Sequence, residues 1–280
     1  MNVACAVSSM SGDYRRWFKN LSIIEHENNV TKGLDLLILT GGGSDISPER
    51  YRAGYNGACG VDLERDEREF NILKEVMDKN PGVNVLGVCR GMQLINVFFK
   101  GSLVQDLDSI NSGHSRVHNL KHMDKSSPFT WLEKTNSLHH QAISYVGDFY
   151  PHIMAVEPMT SVIEMVSWGN SVLGVQFHPE MFASTPGDRF FSIIKDWVVG
   201  NICMPRDSIM LDKYPSISIG GIEDIQEEEP EEGDPEYDGN PEEEEDDPVV
   251  TPGRLSDLYA RISTLSMDSI IDITRRRPNG

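Results

Sequence analysis

Short unbroken apolar runs alternate with amphipathic stretches over the first 200 positions. Residues 3–7, 34–39 (LDLLIL) and 83–88 each read as a strand buried on both faces. Residues 153–156, 161–166 and 171–175 read as three more, broken by Pro158 and by Gly169-Asn170. Between these runs, residues 66–79 carry Phe70, Leu73, Val76 and Met77 at helical spacing, up to a break at Pro81-Gly82. Residues 92–99 read as a helix closed by Gly101, and residues 190–199 as a final helix. Strands alternating with helices predict an α/β fold in three layers, a mostly parallel sheet with helices on both faces.

The pattern changes after about residue 205. Residues 223–248 are Glu, Asp, Pro and Gly with almost no apolar content. Such a segment cannot bury enough surface to offset its ordering entropy, so disorder is expected. Pro252-Gly253 then precedes a stretch in which Leu255, Leu258, Tyr259, Ile262 and Leu265 follow helical spacing, with Arg275, Arg276 and Arg277 suited to a helix C-terminus. The expected organisation is a folded domain over 1–205, a disordered acidic linker over 206–250, and an amphipathic helix over 251–280.

Charge and cysteine content narrow the setting. The chain has 280 residues and a formal net charge of -19. Sixteen of its 44 acidic residues fall in 223–247, which holds no Lys or Arg, so the rest of the chain is close to neutral. A general basic surface for nucleic acid or anionic membrane is therefore not expected. The four cysteines, Cys5, Cys59, Cys89 and Cys203, show no CxxC pairing. The N-terminus has no basic region leading into a long apolar run, and no stretch is apolar enough to span a membrane. A reducing, cytoplasmic setting fits, and it leaves Cys89 free to act as a thiolate.

The sharpest local feature is Gly87-Val88-Cys89-Arg90-Gly91, with a strand running in and a helix running out. That is the context of a nucleophile elbow with Cys in place of Ser; the glycines permit a tight turn, and a helix N-terminus aimed at sulfur favours the thiolate. A buried structural Cys at a strand end is the competing reading. Gly174-Val175-Gln176-Phe177-His178-Pro179-Glu180 supplies a base at a second strand end, His178, and a carboxylate, Glu180, to orient it. Taken alone, a surface His beside a proline turn is an equal reading. Acyl transfer also needs an oxyanion hole. The backbone N–H of Arg90 and one within Gly41-Gly42-Gly43, with Gly42 favoured, are the candidates; an ordinary turn is the alternative for the triplet, which has neither the Lys-Ser of a phosphate loop nor GxGxxG. His114, His118 and His122 sit at four-residue spacing, as a metal-binding helix would present them. Gly113 and the polar neighbours favour a loop, the chemistry needs no metal or cofactor, and His118 is read as lining a cleft.

In order along the chain, TGGGSDISPERY (40–51), ERDEREF (64–70), GVCRGMQLINVFFKGSLVQDL (87–107), NSLHHQAI (136–143) and GVQFHPE (174–180) together resemble the class I glutamine amidotransferase superfamily. They look closest to its γ-glutamyl hydrolase branch, such as γ-glutamyl-γ-aminobutyrate hydrolase. The resemblance covers about residues 34–200 and implies a flavodoxin-like sheet, a Cys-His-Glu triad at Cys89, His178 and Glu180, and an oxyanion hole at Gly42 and Arg90. It implies substrate contacts at Gln93, Ser137, His139, His140 and Asp45. Arg90 matches a position that characterises this branch, where its guanidinium could pair with an acidic group or with the substrate carboxylate. The chain departs from the pattern before Thr40, where the first β–α–β unit is trimmed, and at 155–166 (AVEPMTSVIEMV), which lacks the usual Asp-Gly turn but keeps an acid at Glu164.

The resemblance thus implies a cysteine hydrolase that cleaves γ-glutamyl amides through a thioester. A glutaminase subunit feeding ammonia to a separate synthetase, recruited by the acidic tail and terminal helix, is the alternative. A non-catalytic interaction protein on the same fold is a third reading. The terminal helix would dock on its own domain or on another subunit of a homo-oligomer.

Overall fold

The computed structural model describes residues 1–107 and 117–205. Its elements in chain order are β1 (Val3–Ala6), β2 (Ser22–Ile24), β3 (Leu36–Leu39), α1 (Leu63–Lys79), β4 (Asn84–Val88), α2 (Arg90–Phe98), β5 (Ser102–Val104), β6 (Val117–Asn119), β7 (Lys121–His122), β8 (Lys134–Asn136), β9 (Ala142–Tyr145), β10 (Pro151–Val156), β11 (Ile163–Trp168), β12 (Val172–Val175) and α3 (Ser184–Val198). Eight strands form one sheet in the order β2-β1-β3-β4-β12-β11-β10-β7. The run from β2 to β12 is parallel, and β11, β10 and β7 continue it antiparallel. The mostly parallel α/β sheet expected from the sequence is present, with an antiparallel edge.

The central strands β3, β4 and β12 are apolar because both faces are covered, and every residue of each is buried. On one face Ile38, Leu86, Val88, Leu173 and Val175 pack with Phe190, Phe191, Ile194 and Trp197 of α3 and with Tyr14, Trp17 and Phe18. Phe191 is the hub of that layer, stacked on Trp17 at 4.1 Å between centroids and edge-on to Tyr14 and Phe18. The other face carries α2, which is buried along its whole length beneath α1 and the β5–β9 ribbon.

Several element boundaries differ from the sequence expectation, each for a local reason. Helix α1 starts at Leu63 because the Asp62 side chain accepts from the Arg65 N–H and caps it. Helix α3 starts at Ser184, since Pro186 lies in the first turn, where its missing N–H has no helical partner to lose. Strand β11 begins at Ile163 rather than 161. The 157–161 turn, without Asp-Gly, is closed instead by the Glu157 carboxylate, which accepts from the Met159 and Thr160 N–H groups, with Ser161 at φ 61°. In the trimmed N-terminal region, short 3-10 turns (Ser11–Arg16 and Glu27–Asn29) replace the crossover helices between β1, β2 and β3.

His118 and His122 lie on strands β6 and β7, which corrects the favoured loop and does not give the helical alternative; His114 lies outside the described residues. The acidic linker (206–250) and the terminal helix (251–280) also lie outside them. Among the described residues no helix is long and apolar enough to cross a membrane.

Candidate functional site

Strands β4 and β12 are adjacent and parallel, with Val88 opposite Val175, so the residues that follow them emerge side by side at the carboxyl edge of the sheet. The Cys89 N–H extends the ladder by one step to Val175 O at 2.7 Å. Cys89 then turns sharply, with φ 52° and ψ −110°, and α2 starts at the next residue. This backbone conformation is unfavourable for an L-residue and is held by packing on both sides of it. The flanking glycines serve close approach rather than the turn itself. A Cβ on Gly87 would lie 2.5 Å from Ile95 Cδ1, and one on Gly91 would lie 2.0 Å from Leu39 O. Only with both side chains missing can α2 press its first turn onto β3 and β4.

The second strand end delivers His178. Val175 and Phe177 point into the α3-side core while Gln176 points to the α2 side, where Gln93 Nε2 donates to its Oε1 at 3.2 Å. Phe177 is fully buried and stacked on Phe182, which fixes the direction in which the chain leaves the sheet. The backbone of His178 is bracketed by Asn136, which donates from Nδ2 to His178 O at 3.0 Å and accepts from the His178 N–H at 2.8 Å. His178 Nδ1 donates to Glu180 Oε1 at 2.6 Å, across a 3-10 turn at Pro179–Met181.

Gly41 marks where these parts converge: a Cβ there would meet His178 Cε1 at 2.6 Å and Cys89 Cβ at 3.4 Å. Burial works to lower the His178 pKa. Hydrogen bonds to Cys89 and Glu180, and the charges of both, outweigh it and push the imidazole up to about 10. Glu180 is fully enclosed and has the buried Tyr14 phenol beside it, and burial followed by that carboxylate's charge raises the Tyr14 hydroxyl well above its ordinary range. Tyr14 and Asn136 are two residues at this site to which the sequence pattern assigned no role. Asn136 stood inside the NSLHHQAI match, whereas Tyr14 lies in the N-terminal region that departs from the pattern.

The glycine loop is held from behind by α1. Arg65 donates from Nη2 to Gly41 O at 2.9 Å. In a planar trans peptide the N–H points opposite the carbonyl, so this bond turns the Gly42 N–H away from Arg65. A Cβ on Gly42 would lie 2.1 Å from Arg65 Nη1, so a side chain would push the guanidinium away. Glu69 accepts from Arg65 Nε at 2.9 Å and also from Arg90. Asp66 pairs with Arg90 and accepts from the Ser47 N–H at 2.9 Å. Of the two partners left open for the Arg90 guanidinium, an acidic group and a substrate carboxylate, the structure shows the first: the side chain is 1% exposed and locked between Asp66 and Glu69. Its backbone N–H opens α2 and, as a first-turn group, has no helical acceptor.

The remaining sequence-predicted positions form two groups. Gln93 Nε2 also donates to Gln141 O at 3.0 Å, and His139 Nδ1 donates to the same oxygen at 2.8 Å. His139 and His118 flank the buried Glu164, with His118 Nε2 3.2 Å from Glu164 Oε1. Burial raises the Glu164 carboxyl, and His118 opposes that shift. His140 and Asp45 form the second group, Nε2 to Oδ1 at 2.9 Å, with His140 partly exposed. Ser137 is buried next to Asn136. All four cysteines are free thiols.

The peptidase C26 family profile matches residues 21–180. A glutamine amidotransferase-like protein of Lactococcus lactis is 33% identical over 171 residues, covering 56% of this chain and 70% of the relative. A glutamine-hydrolysing GMP synthase of Streptococcus mutans is 27% identical over 162 residues, covering 56% of this chain and 29% of that enzyme. Among solved structures, a GMP synthase subunit protein from Thermoplasma acidophilum superposes with a TM-score of 0.51 at 17% identity, over 71% of this chain and 93% of that one, a likeness of fold.

Proposed function

The chain belongs to the peptidase C26 family, of the class I glutamine amidotransferase-like superfamily, and on that premise we propose that it is a cysteine-dependent hydrolase that cleaves γ-glutamyl amide bonds. The observation that supports this most is the meeting of Cys89 and His178 at the ends of two adjacent parallel strands, with Glu180 on the far ring nitrogen. In the proposed reaction Cys89 sulfur attacks the γ-carbonyl carbon, and the Gly42 and Arg90 N–H groups stabilise the oxyanion. His178 protonates the departing amine, leaving a γ-glutamyl thioester. His178 then takes a proton from water, hydroxide adds to the thioester, and glutamate leaves as the Cys89 thiolate returns. Glu180 holds the imidazole tautomer throughout. Gln93, Ser137, His139, His140 and Asp45 are proposed to shape the glutamyl end of the cleft. Four free thiols fit a reducing, cytoplasmic setting.

A second reading is favoured by the match to the glutamine-hydrolysing GMP synthase: the same chemistry would release ammonia to a synthetase partner. The two separate in a steady-state assay of a panel of γ-glutamyl amines and glutamine. Robust cleavage by the chain alone supports the hydrolase, whereas glutamine turnover that rises only with a partner supports the ammonia donor. Cys89→Ala is expected to abolish turnover of every substrate, and intact-mass spectrometry should find the glutamyl adduct on Cys89 alone. Turnover by Cys89→Ala within about tenfold of the wild-type rate removes both readings, because the oxyanion donors left in place supply only a small part of the rate.

A further inference from the structure

One cluster of ligating side chains lies beside the glycine loop; it donates and accepts no proton in the acyl-transfer steps, although two of its members, Asp45 and His140, are proposed above to line the cleft. Asp45, Cys59 and His140 offer a carboxylate oxygen, a sulfur and an imidazole nitrogen, all within 4.8 Å of one another. His140 Nε2 is 2.9 Å from Asp45 Oδ1 and 3.8 Å from Cys59 Sγ. Donors bound to one tetrahedral ion at about 2.0–2.3 Å sit about 3.3–3.8 Å apart, so small side-chain shifts suffice. We propose that Asp45, Cys59 and His140 form a binding site for a borderline divalent cation of the zinc class.

The mixed oxygen, sulfur and nitrogen set selects such a cation over calcium or magnesium, which take oxygen ligands. The ligands are also held in place before any cation arrives. Gln105 pins the loop that carries Cys59, its Oε1 accepting from the Asn56 N–H at 2.6 Å and its Nε2 donating to Gly54 O at 2.7 Å. The Cys59 N–H donates to Asp45 Oδ2 at 2.7 Å, which sets the thiol beside the carboxylate. On the far side of the imidazole, Asp106 Oδ1 lies 3.8 Å from His140 Nδ1, the position from which a carboxylate orients a metal-bound histidine. Cys59 is exposed, which gives a cation a path in, and a fourth coordination position is left to water.

Binding forms cation–sulfur, cation–nitrogen and cation–oxygen bonds. The thiol proton goes to solvent and the His140 Nε2 proton moves to Nδ1, facing Asp106. The ligand is the thiolate, so binding releases a proton and affinity should climb as pH rises.

The test uses the full chain carrying Cys89→Ser, which removes the other thiol with a histidine neighbour, titrated with Co2+ and then Zn2+. The expected result is one equivalent of Co2+ with a thiolate-to-cobalt charge-transfer band that Zn2+ displaces and that strengthens with pH. Adding Cys59→Ser should erase the band and weaken Zn2+ binding at least about tenfold, with Asp106→Asn costing roughly tenfold. Because Cys59 is exposed, an unchanged melting temperature without metal will show that the fold is kept. A band that survives Cys59→Ser, or no band in the Cys89→Ser chain, overturns the site. The readout needs no turnover, so it stands or falls separately from the γ-glutamyl reading.

Discussion

Cys89 concentrates two costs at one residue. Its φ of 52° with ψ −110° is a conformation that glycine tolerates and a β-carbon does not, worth about 1–3 kcal/mol of strain. Cys89→Gly is therefore expected to be more stable than Cys89→Ala by about 1 kcal/mol or more, read from urea unfolding. Equal stabilities would mean that the turn stores no strain. His178 sets a pH signature of the opposite kind. Its folded pKa of about 10 lies above the ordinary 6.5, so its interactions contribute stability fully below about 6.5 and lose it as pH rises through about 10. The stability gap between wild type and His178→Gln should be wide at the acid end of that window and close toward its alkaline end. On the proposed mechanism, Glu180→Gln should lower kcat on the order of 10³–10⁴-fold, by removing the charge that would fix the tautomer and stabilise the imidazolium, and should lower the imidazole pKa followed by NMR.

Helix α1 acts as a brace rather than as a layer of apolar packing alone. Its buried Arg65, Asp66 and Glu69 tie the glycine loop, the Ser47 turn and the start of α2 into one network through Arg90. Breaking a buried ion pair leaves uncompensated charge, so Arg90→Met should destabilise the protein by about 3–5 kcal/mol in denaturant unfolding. A loss below about 1 kcal/mol would show that Asp66 and Glu69 find other partners. On the opposite face, Phe191 of α3 joins Trp17, Tyr14, Phe18 and Phe190. Phe191→Ala should cost about 3–5 kcal/mol by cavity formation. Since Tyr14 also adjoins Glu180, this layer couples the N-terminal segment to the site.

Across the whole molecule, what the sequence itself settled is what a local pattern can carry. Unbroken apolar runs marked β3, β4 and β12 because a strand covered on both faces has no polar side to show. The order strand, Gly-x-Cys-x-Gly, helix marked the turn at Cys89, and Gly174 to Glu180 marked a second strand end. Strands of two or three residues such as β2, β6, β7 and β8 passed unread, since they are too short and too polar for any periodicity to form. Which strands lie side by side was decided only by the tertiary fold. The adjacency of β4 and β12, which sets Val88 opposite Val175, follows from long-range packing that no window of sequence contains. The same holds for the direction of the Arg90 side chain. Its charge left an acidic partner and a substrate carboxylate both open, and the desolvated acids of a separate helix claim it. Local chemistry named the groups able to react; burial and distant ion pairs determined which of them face one another.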